Sequence, residues 1–322
     1  EFNVVVFGQY YGLKTDIIIV MQNAIINSLP FILSVVAVKI FQQLKLIRKE
    51  DKQAVASLTF NIVVPALIIL LMGTIDLHFS DLKYTLMALL TWLVAGIAGL
   101  ATSKLLKLSK KQEGTIVVGF LSFSIGVLVY PLVQLNYSND VFLRVVLYDV
   151  IGHFFILMTL TYLVATMYGE KSNGSLVSNI KTVLLSPIVI SMVVGVILSI
   201  TKLSHPIFME TLNYMSSAFG MLAATLLALT LTMPRAKGLV TVGVSTVIKL
   251  LVGLASGIAV TKMFGVTGDT SAALLLATAS PVSLTTIVFS EMVGLDTELI
   301  SQFTAVSLIV GLIVLPIAMG IL

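Results

Sequence analysis

Apolar runs long enough to cross a bilayer alternate with short polar breaks along almost the whole chain. A hydrocarbon core of about 30 Å needs about 20 apolar residues in a helix. The runs fall at 17–41, 54–75, 84–106, 114–135, 141–168, 180–201, 211–232, 238–262, 270–291 and 297–321. The pattern predicts an all-α integral membrane protein of about ten transmembrane helices, numbered 1–10 in that order. Every loop is short, so little is left for a soluble domain. Residues 1–16 carry Lys14 and Asp16, lack the basic-then-apolar order of a signal peptide, and read as a short leader on the non-cytoplasmic side.

Two of these runs have polar centres. Helix 9 contains LLLATASPVSLTTIVFSE (274–291), with Thr278, Ser280, Pro281, Ser283 and Thr285 in its middle. Pro281 has no amide hydrogen, and its ring presses on the carbonyl of Ala277. Helix 4 contains VVGFLSFSIGVLVYPLVQ (117–134), with Ser122, Ser124, Gly126 and Pro131. Both read as membrane helices broken near a proline, Pro131 in one and Pro281 in the other. Nearby hydroxyls can take up the freed backbone groups. Paired interruptions of this kind point to the binding site of a secondary transporter.

The two segments occupy matching places in a repeat. Glu113 and Asp269, Ser124 and Ser280, and Asp140 and Asp296 are each 156 residues apart, and GIAGLATSK (96–104) resembles GLASGIAVTK (253–262). Five helices per half is an odd number, so the second half must enter the membrane from the opposite side. That predicts two inverted five-helix repeats. Lys45, Arg48, Lys49 and Lys52 follow helix 1, Lys104, Lys107, Lys110 and Lys111 follow helix 3, Lys171 and Lys181 follow helix 5, and Arg235 and Lys237 follow helix 7. The positive-inside bias makes those loops cytoplasmic and both termini non-cytoplasmic, in the plasma membrane.

Composition agrees. The chain is 58% hydrophobic and 11% charged, against about 25% charged in soluble domains, and its mean hydropathy is +1.08. The absence of cysteine rules out disulfides and thiolate chemistry. The net charge of +4 records orientation more than any affinity for nucleic acid, and no nucleic-acid partner is expected. No P-loop, dinucleotide fingerprint, zinc-helix or nucleophile-elbow pattern stands in a fitting context, so neither an enzyme nor an ATP-driven pump is supported, and no metal or cofactor is expected.

Three further places carry candidate chemistry. Lys249 lies about a dozen residues into helix 8, where a lysine costs about 2.5–3.5 kcal/mol at the membrane centre. It is either a counter-charge for an anion, a stand-in for a coupling cation, or close enough to the interface to snorkel. Asp149 and His153 share a face of helix 5, as a proton relay or as a pair that ties helix 5 to Arg144 or Lys249. Asn61, before Pro65 in helix 2, either lines the cargo path or serves a proline kink. Gln134 and Glu291 read as interfacial, and His78 and His205 as solvated in outer loops.

Several stretches resemble the auxin efflux carrier family, which includes PIN-like carriers and bacterial malate or malonate permeases. FNIVVPAL (60–67) is similar to that family's FN-x3-PAL signature, and Ser124 to Pro131 to its N-T-G-F-L-G-x-P pattern. ASPVSLTTIVFSEMVG (279–294) followed by DTELIS (296–301) is similar to its small-x-P helix and acidic turn. Ser124 stands for the family's asparagine and Val129 for its second glycine. The resemblance implies a scaffold of helices 1, 2, 6 and 7 (17–75 and 180–232) and a moving transport part of helices 3–5 and 8–10 (84–168 and 238–322). It also implies that helices 4 and 9 cross at their breaks, and that two copies form a homodimer through the scaffold.

The expectation is therefore a secondary transporter that moves a small organic anion, a mono- or dicarboxylate, by an elevator-like alternating-access movement. Its substrate site would comprise Asn61, Ser122, Ser124, Gly126, Lys249, Thr278, Ser280, Pro281, Ser283 and Thr285. One alternative is a symporter or antiporter of the bile-acid-symporter type, in which a proton or sodium ion is coupled through Asp149 and His153. The other is a membrane sensor that binds a lipid or metabolite without moving it, although no signalling domain is present within these residues.

Overall fold

A computed structural model describes residues 2–74, 79–170, 181, 184–203, 205–231 and 238–319. His78, Lys171, Arg235 and Lys237 lie outside the described residues. Those described are helical with short connections and contain no strand. In chain order they form α1 (Phe2–Gln43), α2 (Lys49–Thr74), α3 (Leu82–Leu105), α4a (Lys110–Phe120), α4b (Ile125–Asn136), α5 (Asn139–Tyr168), α6 (Pro187–Thr201), α7 (Pro206–Thr230), α8 (Leu239–Met263), α9a (Gly268–Thr278), α9b (Thr285–Val293) and α10 (Thr297–Met319). Residues 2–16 run into α1 without interruption.

Seven of these, α1, α2, α3, α5, α7, α8 and α10, are long and apolar enough to cross a membrane by length and composition. The pair α4a and α4b, bent by 42° at its break, passes the same test only when taken together. The protein is thus an all-helical, multi-pass membrane protein. Two helices start away from their expected positions because a proline fixes the first turn. α6 opens at Pro187 with Ser186 accepting the Val189 amide (3.3 Å), and α7 opens at Pro206 with His205 accepting the Ile207 amide (3.3 Å). Proline suits a first turn because its missing N–H had no intrahelical partner there.

Pro65 and Pro131 each follow a widened turn. Thr59–Val63 in α2 and Ile125–Val129 in α4b are π turns. In each, the residue just before the proline donates its amide five residues back, Val64 to Thr59 and Tyr130 to Ile125. The wider turn makes room for the ring that would otherwise strike the carbonyl four residues back. Pro131, expected as a helix break, therefore lies within α4b. The chain leaves helical geometry earlier, at Ser122–Ser124.

Small residues bring the breaks together. α3 and α8 pack on each other, and each also packs on the half-helix that follows it, α3 on α4a and α8 on α9a. The contacts lie in the similar stretches GIAGLATSK and GLASGIAVTK. A Cβ on Gly99 would stand 2.9 Å from the Phe120 Cβ, and one on Gly253 would stand 2.3 Å from the Thr278 carbonyl oxygen. α2 packs mainly on α6 and the first part of α7, and α1 on the second part of α7.

Gly253→Val should lower the thermal midpoint of purified protein in detergent by the equivalent of about 1–3 kcal/mol or more, because the obstacle is backbone and cannot rotate away. Gly220→Ala should not lower the midpoint, since a Cβ there meets nothing within 4 Å. Equal melting of the two variants would rule out the close helix approach.

Candidate functional site

The two interrupted segments touch at their breaks. The Ser124 amide donates to the Pro281 carbonyl (2.8 Å), and the Ser283 amide donates to the Ser122 hydroxyl oxygen (3.2 Å). The Ser122 hydroxyl in turn donates to the Gly119 carbonyl (3.1 Å). The first turns of α4b and α9b thus begin side by side. The opening amides of a helix lack intrahelical acceptors and carry its positive end.

A cavity of about 330 Å³ opens beside this junction. Ser124, Ile125, Gly126 and Val127 line it from α4b, and Ser283, Leu284 and Thr285 from the start of α9b. Across from them stand Phe60, Asn61 and Val64 of α2. Asp149, His153, Phe154, Leu157 and Met158 come from α5, and Ser186 stands at the head of α6. The wall is mostly apolar and aromatic, and among the described residues no lysine or arginine lines it. Asn61 donates its amide to Ser57 (3.1 Å), so its side-chain oxygen can still accept.

Asp149 and His153 sit in the π-helical part of α5, Tyr148–Phe154. The Asp149 carboxylate lies 3.0 Å from His153 Nδ1, and His153 Nε2 accepts the amide of Phe123 at 3.1 Å. The histidine thereby satisfies an amide of the first break. Arg144, one candidate partner of Asp149, bonds Asp140 instead.

Lys249 lies behind the cavity wall. Its ammonium donates to the carbonyls of Phe120 (3.0 Å) and Ser122 (2.7 Å), the orphan oxygens where α4a ends. It also stands 4.1 Å from the centre of the Phe123 ring. Among the described residues it forms no salt bridge with a carboxylate. A buried cation is tolerated here because it completes a helix end, where the dipole is negative.

Of the expected site residues, the structure brings Asn61, Ser124, Gly126, Asp149, His153, Ser283 and Thr285 to one cavity. Ser122, Pro281 and Lys249 build the junction behind it. Thr278 turns its hydroxyl back to the Leu275 carbonyl (3.0 Å), and the buried Ser280 hydroxyl has no hydrogen-bond partner among the described residues. The aromatic and sulfur-bearing wall, Phe60, Phe123, Phe154 and Met158, went unpredicted. Apolar residues in an apolar run carry no signal of which ones face a cavity.

The family described as membrane transport protein matches this chain over residues 24–319. The chain belongs to that family, the auxin efflux carrier family. No curated protein matches it. This member of the auxin efflux carrier family is accordingly a transmembrane transport protein and not an enzyme.

Lys249→Met should destabilise this carrier in detergent with no cargo present, because two buried carbonyls lose their donor at about 1–3 kcal/mol each. A pure counter-charge for cargo would leave the melting temperature unchanged. A variant as stable as the parent therefore refutes the capping role.

Proposed function

We propose that this protein is a secondary transporter of small apolar monocarboxylates. The observation that carries this reading is the cavity at the meeting point of two half-helix starts, with serine and threonine hydroxyls on one side and aromatic rings on the other. Amide ends and hydroxyls suit one carboxylate. The rings and Leu157 suit an apolar body. A dicarboxylate fits less well, because among the described residues no cationic side chain lines the wall and the Asp149 carboxyl group stands there.

In this reading the chain makes ten spans in two inverted repeats. Helices α3–α5 and α8–α10 move as one transport part against a scaffold of α1, α2, α6 and α7. The packing of α3 on α8, and of each on its own half-helix, supports the first group, and the packing of α2 on α6 and α7 the second. The cavity lies between the groups, with α2 as its fixed wall. The lysine-rich loops support an orientation with both termini on the outer side of the plasma membrane.

The test is counterflow of radiolabelled phenylacetate, hexanoate and succinate in proteoliposomes. Protein-dependent exchange of the first two should exceed that of succinate. Gly126→Leu should slow it about tenfold, a barrier change of ~1.4 kcal/mol, since a side chain there grows into the cavity toward Phe60, 3.9 Å from an added Cβ. Exchange no faster than in protein-free vesicles for every acid refutes the reading.

A further inference from the structure

His153 is bonded at both ring nitrogens to groups of opposite demand. Phe123 N–H is a donor, so Nε2 must be the lone-pair nitrogen and carries no hydrogen. The ring hydrogen is then on Nδ1, directed at Asp149. This neutral tautomer holds the first break in place. A second proton can enter only at Nε2, where it would face the Phe123 N–H with no acceptor between them.

We propose that His153 is the coupling-proton site of this carrier and that its proton is taken up together with the anionic cargo. The inference rests on the monocarboxylate reading and deepens it. Protonation at Nε2 breaks the bond to Phe123 and leaves two donors, the imidazolium N–H and the Phe123 amide, at the cavity wall. One carboxylate oxygen inserted between them satisfies both. The cargo thus replaces the lone pair that the proton consumed.

The charges around the ring agree. Asp149 lies on the same helix, and the Tyr130 hydroxyl faces its carboxylate from α4b. From α8, Lys249 lies against the Phe123 ring, whose edge contact with His153 has centroids 5.1 Å apart. The ionisable groups of α3 lie near its ends, Lys83 and Tyr84 at one and Lys104 at the other. Protonation adds one positive charge beside the cavity, and a monoanion brings the matching negative one.

The test is calorimetric titration of the purified carrier with phenylacetate near neutral pH, in buffers of different ionisation enthalpy. The parent should take up about one proton per phenylacetate bound, and its Kd should rise with pH by up to about tenfold per unit. His153→Gln should still bind, more weakly, with no proton uptake and a flat pH profile. The protein has three histidines, so 15N-histidine spectra of the unaltered carrier give an independent reading: one imidazole should become imidazolium when phenylacetate is added. Binding without proton uptake, uptake that persists in His153→Gln, or sodium-dependent binding overturns the coupling and leaves the monocarboxylate reading intact. Absence of any binding heat for phenylacetate and hexanoate, with no counterflow, removes both.

Discussion

Backbone groups inside a bilayer must be satisfied by the protein itself, because lipid tails offer no hydrogen bonds. Most of this chain meets that demand with continuous helix. At Ser122–Ser124 and Ser280–Ser283 it does not, and the rest of the structure is arranged to compensate. Lys249 covers the carbonyls at the end of α4a, and His153 covers the amide of Phe123. The two breaks cover each other through Ser124, Pro281, Ser122 and Ser283. A residue that would be costly in oil is thus held by the same groups that would be costly without it.

Phe123 links these arrangements. Its amide rests on the histidine and its ring receives the lysine, while one side of it lines the cavity. Any displacement of the break is therefore felt by the cation behind the wall and by the titratable ring beside it. The glycine contacts of α3 and α8 hold the half-helices close enough for these short bonds to form.

Much of this was legible in the sequence because membrane physics leaves strong marks. Long apolar runs gave the helices, and hydroxyls within them marked the breaks. The spacing of Asp149 and His153 placed both on one face. Other features left no such mark. The sequence shows proline at 131 but not the π turn that absorbs it, since that depends on whether the backbone can widen locally. Lys249 is conspicuous in an apolar helix, yet its partners are main-chain oxygens more than a hundred residues away. Ser280 and Thr278 looked equivalent to Ser283 and Thr285, but only the latter pair turns toward open space.

The two widened turns, Thr59–Val63 and Ile125–Val129, face one another across the cavity, each followed by one residue and then proline. A missing N–H is a covalent property that no rearrangement of neighbours can restore. Each proline therefore withholds one main-chain donor from its own helix. Two such covalent gaps in the main-chain donor count thus stand on opposite sides of one compartment.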